Sequence, residues 1–354
     1  MATLTPSTTD LGAVLVVGGC GYLGSHLVQL LEPHSTSIHV VSRNPTSNLH
    51  PFATYHAGDI ASYEQISSLL AQIKPQVIFH TASPKYTASE KQLRQTNLDG
   101  TRNLLKCASE SPYVRALVYT GTDSAVVQAP GVKLTEVRAE LYTEKSPVNP
   151  YAKTKAIADF EVRAANGPEL RTAVIRIPGL YGEDDDNCIG SLLSTVKKNQ
   201  HNIQVGTNKR CFEFVYVESA CMAHILAARA LLLGGEKDKV DGEAFFVSDG
   251  VSLPYFDFAR KIYAFAGHPV QEKDIRVMPY RLILGFAVLG EWLYWAFTFG
   301  TIVPDMRKLG IEYLGGGCEW DISKAKERLG YKPVADQDTV LKQVAESEAK
   351  RLGI

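Results

Sequence analysis

The chain has 354 residues, with 37 Lys and Arg against 38 Asp and Glu, a net charge of −1 and 45% hydrophobic residues. That length allows one large or two modest domains with a real core, and the charge balance leaves no electrostatic footprint for nucleic acid. Charged residues at 21% and aromatics at 9% exclude wholesale disorder. The six cysteines are scattered and show no Cys-x-x-Cys, which argues against a disulfide framework or a zinc knuckle. A reducing, cytoplasmic setting and no metal are the expectation. Residues 1–12 are polar and lack the basic and apolar regions of a secretory signal.

The apolar run 13–17 predicts a first strand, which ends in Gly18-Gly19-Cys20-Gly21-Tyr22-Leu23-Gly24 and runs directly into a helix over 23–31. The spacing of Gly18, Gly21 and Gly24 lets the backbone turn sharply and approach a pyrophosphate, while the helix amino terminus offers free N–H groups. Gly18, Gly21, Tyr22, Leu23 and Gly24 are therefore candidate dinucleotide contacts; Cys20 reads as a small residue in a tight loop. A second strand at 38–41 ends in Val41-Ser42-Arg43-Asn44. An acid there would hold the ribose 2′-hydroxyl of NAD, and an Arg would accept the 2′-phosphate of NADP. With Ser42 and Arg43 in place and no acid, NAD and NADP both stay open, and a solvated Arg43 is the plain alternative. Asp59, followed by Ile60 at a presumed third strand end, fits an adenine contact or a loop cap.

A helix over 66–73, a strand over 77–80, a helix over 93–108 and a strand over 116–119 follow. The last leads into Thr120-Gly121-Thr122-Asp123-Ser124, and a helix over 151–165 comes next. Asn149 can cap that helix with Pro150 in its first turn, so Tyr151 and Lys155 lie one turn apart on one face. A phenol with a pKa of about 10 is a poor base at neutral pH, and a nearby ammonium favours its phenolate. Thr122, at a strand end, is the candidate donor to a substrate oxygen. A strand at 173–177 continues the series. Apolar strands without polar alternation imply a parallel sheet covered on both faces, hence an α/β, Rossmann-type doubly wound fold.

After residue 177 the rhythm changes to a Gly- and Asp-rich loop, whose four acids at 183–186 read as a solvated run. A strand at 213–217, a helix through 233 and a strand at 243–247 follow. The expected division is a dinucleotide-binding domain from 1–178 and 213–248, with a smaller mixed α/β substrate-binding region from 179–212 and 249–354. The stretch 282–303 carries Glu291 as its only charge. About 20 apolar residues can cross a bilayer, but a carboxylate at mid-depth costs about 2.5–3.5 kcal/mol. The favoured reading is a lid or wall of the substrate pocket with Trp295 against apolar rings. The second is a segment in a membrane interface, with Trp292, Tyr294 and Trp295 at headgroup depth.

Five further runs join the glycine loop and the Tyr/Lys pair: Val77 through Pro84, Asn97 through Leu105, Arg176 through Gly182, Phe214 through Val217, and Asp321 through Ala325. Together they resemble the extended short-chain dehydrogenase/reductases. More narrowly, they resemble the 3β-hydroxysteroid dehydrogenase and sterol-4α-carboxylate 3-dehydrogenase family, from about residue 13 to 334. The resemblance implies Tyr151 as acid/base, Lys155 as its partner and a ribose ligand, and Thr122 as the substrate hydroxyl donor. It also implies cofactor contacts at Thr81, Ala82 and Pro178, and substrate contacts at Ser83, Lys85, Ser124 and Tyr181. Two departures stand out. Gly121-Thr122 replaces a Ser pair, which keeps Ser124 open as the donor, and Ser42-Arg43 replaces an acid. The implied activity is NAD(P)-dependent oxidation of a 3β-hydroxyl on a sterol, steroid or polycyclic terpenoid to the 3-ketone, with loss of CO2 where a 4-carboxylate is present. The alternative is an NADPH-dependent reductase of smaller ketones. A homodimer through helices 93–108 and 151–165 and a cytoplasmic place, or one peripheral on the endoplasmic reticulum membrane, complete the expectation.

Overall fold

The computed structural model describes residues 10–235, 239–298, 304 and 306–354. Residues 1–9 and the end of the apolar stretch, 299–303, lie outside the described residues. The first half alternates strand and helix: β1 (Ala13–Val17), α1 (Tyr22–Leu31), β2 (Ser37–Ser42), β3 (Ala53–Ala57), α2 (Tyr63–Ile73), β4 (Val77–His80), α3 (Glu90–Arg94), a π-helical turn at Gln95–Gly100, α4 (Thr101–Glu110), β5 (Ala116–Thr122), the short β6 (Lys133–Leu134), α5 (Pro150–Ala164) and β7 (Arg171–Ile177). The second half holds β8 (Gly179–Tyr181), α6 (Ile189–Lys197), β9 (Ile203–Val205), β10 (Cys211–Tyr216), α7 (Val217–Leu233), β11 (Glu243–Phe246), β12 (Ser252–Pro254), α8 (Tyr255–Phe265), β13 (Arg276–Met278), α9 (Tyr280–Thr298), α10 (Lys308–Gly316), β14 (Glu319–Trp320), α11 (Ser323–Leu329) and α12 (Gln337–Leu352).

Seven parallel strands form the main sheet in the order β11-β7-β5-β4-β1-β2-β3. The apolar runs produce it because successive side chains point to opposite faces and both faces are covered. Val14 and Val16 of β1 join the cluster under α1 and α7, whereas Leu15 and Val17 join the one under α2, α4 and α5. The strand order reverses between β1 and β4, and the carboxyl ends of those strands border the crevice where such sheets take ligands.

Three local outcomes differ from the sequence reading. The helix expected over 93–108 is broken by the π turn: the Thr101 hydroxyl donates to the Asn97 carbonyl at 2.8 Å, and the Asn97 side chain donates across to Thr154 at 3.0 Å. The strand expected at 213–217 is β10, and it pairs with β8 and β12 in a separate sheet, not with the large one. In the acidic run, Asp185 is buried and caps α6, accepting the Asn187 amide at 2.8 Å and the Ile189 amide at 2.8 Å. A helix amino terminus stabilises a carboxylate there, so that acid is not solvated.

Candidate active site

Four parallel strand ends come together at one edge. The Gly18 amide donates to the Val41 carbonyl at 3.0 Å, Gly58 to Ser42 at 3.0 Å, and Thr81 to Val17 at 2.9 Å. The Thr81 hydroxyl takes the same Val17 oxygen at 2.9 Å. This brings Gly18, Ser42, Arg43, Asp59, Thr81 and Ala82 to one rim. Gly18 sits at φ +87°, and a Cβ there would lie 2.7 Å from the Ala82 backbone, so only glycine lets the β1 and β4 ends meet. A Cβ on Gly24 would lie 2.3 Å from the Gly18 oxygen. Gly21 is exposed, and it caps α1 with no side-chain hydrogen bond. The amides at the start of α1 therefore face a cradle bare of side chains, which fits a dinucleotide pyrophosphate.

The other expected cofactor residues differ in how they can take part. Arg43 is exposed at the β2 end and Ser42 is half-buried. Asp59 closes its own loop through the Ala61 amide at 2.9 Å, while Ile60 and Leu23 are buried in the core. Tyr22 is half-buried edge-on against His26, and its hydroxyl is buried with no partner. Pro178 is buried at the end of β7.

At the adjacent strand end, α5 begins where the sequence requires. Asn149 Oδ1 accepts the Ala152 amide at 2.9 Å and Pro150 opens the first turn. Tyr151 is half-buried, and Lys155 is buried with Nζ donating to the Thr120 carbonyl at 2.6 Å and lying 4.2 Å from the centre of the Tyr119 ring. Burial lowers the Lys155 ammonium from its ordinary 10.5 to about 7, with Asp159 opposing the fall. Burial pushes the Tyr151 phenol up to about 12; Asp123 adds to the rise and a hydrogen bond with Thr122 opposes it. The downward shift expected from the Lys155 ammonium is not among the influences that set this phenol. Thr122 is buried, donates to Asp123 Oδ1 at 3.3 Å and accepts the Ser124 amide at 3.2 Å.

Behind this row stand residues that motif reading passed over. Asp159 lies one turn beyond Lys155 and is buried, receiving Arg176 Nε at 2.7 Å and Nη2 at 2.9 Å. His224 Nδ1 sits 2.7 Å from the Ala220 carbonyl and must donate to it, so its Nε2 accepts the Thr120 hydroxyl at 2.8 Å. Asp123, between the two candidate hydroxyls, is 3% exposed. The four-residue spacing of Lys155 and Asp159 on one helix was the available signal for the first; nothing local marks the other two.

The expected substrate residues scatter. Ser124 is half-buried beside Thr122, and Lys85 is exposed. Ser83 is exposed and its hydroxyl bonds Asn97 Oδ1 at 3.0 Å. Tyr181 is fully buried with its hydroxyl on Asp249 at 2.7 Å, so it holds the floor of the fold and offers no face to a ligand. Trp295 is 64% exposed on α9, a helix whose only buried residue is Ala287. The structure therefore does not place it as a pocket wall. Among the described residues, no three His, Cys, Asp or Glu side chains are grouped to hold a metal ion.

Residues 15–277 match the 3-beta hydroxysteroid dehydrogenase/isomerase family. A sterol-4-alpha-carboxylate 3-dehydrogenase, decarboxylating, of Gibberella zeae is 43% identical over 289 residues, covering 80% of this chain and 94% of the relative. The protein of the same name in Schizosaccharomyces pombe is 31% identical, covering 92% of this chain and 94% of the relative. Neither name fits a reductase of small ketones. Among solved structures, the dTDP-glucose 4,6-dehydratase of Bacillus anthracis in complex with NAD has a TM-score of 0.71 at 19% identity, covering 96% of this chain and 97% of the other, a likeness of fold.

Proposed function

Because the chain belongs to the 3-beta hydroxysteroid dehydrogenase/isomerase family, we propose that it oxidises the 3β-hydroxyl of a sterol bearing a 4-carboxylate, using Tyr151, Thr122 and Lys155. What supports this reading is that Thr122 ends β5 while Tyr151 and Lys155 lie in the first turns of α5, on the carboxyl edge that also holds the glycine cradle. Tyr151 as phenolate takes the hydroxyl proton, and Thr122 holds the same oxygen in place. Lys155, fixed by the Thr120 carbonyl, keeps a cation within one turn of the base. NAD or NADP, when bound, supplies the acceptor for the hydride from C3. Gly18, Gly21 and Gly24 would hold its pyrophosphate, Thr81 and Ala82 would border it, and Arg43 would meet its adenosine end. The 3-ketone beside a 4-carboxylate is a β-keto acid, which loses CO2 as its C4–C bond electrons pass into the enolate. Turnover of 3β-hydroxysterols with and without a 4-carboxylate, assayed with each dinucleotide, tests the reading. The carboxylated sterol should yield the 3-ketone with one CO2 per turnover, and inertness of all 3β-alcohols would refute it.

Two assembly properties belong to the same proposal. Trp292 and Trp295, about one turn apart, are 60% and 64% exposed, and we assign this face of α9 to a membrane interface, where an apolar substrate resides. Among the described residues no helix is long and apolar enough to cross a membrane. Flotation with phospholipid vesicles should carry the protein up, and recovery only in the soluble fraction would reject the contact. The outer faces of α4 and α5, where Phe160 is exposed beside the Arg102–Glu161 ion pair, would form a homodimer. Light scattering at micromolar concentration should give twice the 38.8 kDa chain mass; the single chain mass would rule it out.

A further inference from the structure

The segment that leaves β2 is bound back onto the glycine turn. Asn48, in the left-handed region at φ +53°, donates its side-chain amide to the Cys20 carbonyl at 3.0 Å. His50 Nε2 lies 3.1 Å from the Ser25 hydroxyl on α1, and the His50 amide donates to the Tyr55 hydroxyl at 2.8 Å. On the other side, the Gly18 amide holds the Val41 carbonyl and the Gly58 amide holds the Ser42 carbonyl, each at 3.0 Å. Ser42 and Arg43 are therefore fixed between the glycine turn and the end of β3. In this fold the end of the second strand is where the adenosine ribose is read.

That rim offers donors and no free carboxylate. From residue 33 to residue 58 the chain has no Asp or Glu, and Arg43 is its single Lys or Arg. Arg43 is exposed, and among the described residues its guanidinium has no ion pair or hydrogen bond. Asp59, two residues past β3, spends Oδ1 on the Ala61 amide at 2.9 Å and closes its own loop. A ribose 2′-hydroxyl needs an acceptor for its proton, and a guanidinium has N–H donors only. A 2′-phosphate presents acceptor oxygens and negative charge, which the planar guanidinium fork matches with two parallel bonds.

Resting on the reading of the glycine turn as a dinucleotide cradle, we infer that this chain prefers NADP to NAD, with Arg43 and the Ser42 hydroxyl as the site of the 2′-phosphate. Arg43 is then a specificity-determining residue: it decides which dinucleotide is held and leaves proton transfer to the Tyr151 row. Because Arg43 is exposed, its pairing with a phosphate is open to screening by salt.

Calorimetric titration of the whole chain with NADP, NAD, 2′,5′-ADP and 5′-AMP reads this preference without any turnover. NADP should bind about tenfold tighter than NAD or more, and 2′,5′-ADP should exceed 5′-AMP by a similar factor. Added salt should narrow both gaps by weakening the 2′-phosphorylated ligands. Arg43→Ala should weaken NADP by about 10–100-fold and hardly change NAD, whose retained binding shows that the variant is folded. Arg43→Lys, which keeps the charge without the fork, should recover part of the loss. Arg43→Asp, which sets an acceptor at the rim, should turn the preference toward NAD. Equal affinities in the wild type, or equal losses of NADP and NAD in Arg43→Ala, would overturn the inference and leave the cradle standing. Failure of all these ligands to bind the wild type would overturn the cradle reading and this inference together.

Discussion

Every residue of β5 from Ala116 to Thr122 is buried, whereas α9 buries Ala287 alone along 19 residues of comparable apolarity. The two regions show that apolar composition by itself does not say where a segment goes. β5 has a partner strand on each side and helices on both faces, so its end is held in one place and its hydroxyls inherit that precision. α9 packs chiefly on α10 and leaves Phe286, Leu289, Trp292 and Trp295 outward. What would cover that face lies beyond this chain's own core. Fixed chemistry belongs on the first kind of support, and adaptable contact on the second.

The contrast can be broken first at the ion pair behind the Thr122, Tyr151 and Lys155 row. Asp159→Ala leaves the buried Arg176 guanidinium without its two bonds and should cost about 3–5 kcal/mol in urea unfolding, the expected penalty for an orphaned buried charge. Next, Gly24→Ala sets a methyl 2.3 Å from a backbone oxygen and should cost about 1–3 kcal/mol and weaken dinucleotide binding by calorimetry. The Lys155 ammonium gives a pH-dependent effect. Its pKa falls from 10.5 to about 7 on folding, so between those values the unfolded chain binds more protons and stability rises with pH. Relative to Lys155→Met, the wild type should therefore gain stability as pH climbs from 7 to 10; a flat difference would mean that the ammonium stays charged inside the fold. The smallest expected effect is on α9. Trp292→Ser should change stability by about 0.5 kcal/mol or less while reducing vesicle binding. A large loss of stability would show that the helix is docked after all.

The same contrast explains what could be read in advance. Strands β1, β2, β4, β5 and β7 announce themselves as short apolar runs, and Gly18 and Gly24 mark their turn because the backbone there admits no Cβ. Tyr151 and Lys155 follow from one helical period behind a good cap. Asp123 was not legible as a buried acid beside the candidate hydroxyls: one of its neighbours, Cys318, is nearly 200 positions away in sequence and is brought to it by the fold. The burial of Tyr181 was not legible because its partner, Asp249, reaches it only through the small sheet that holds β8 and β10. The surroundings of Trp295 were not legible because an apolar run does not say whether the protein or something else covers it.

The proposed chemistry makes Tyr151 the proton acceptor, and Tyr151→Phe tests that most directly when turnover of a 3β-hydroxysterol and dinucleotide affinity are measured on the same preparation. The phenol's loss should lower kcat by about 10²–10⁴-fold, the range for a general base. Affinity for NAD and NADP should change little, because the ring and the glycine cradle remain. Turnover within a few fold of wild type would contradict the account.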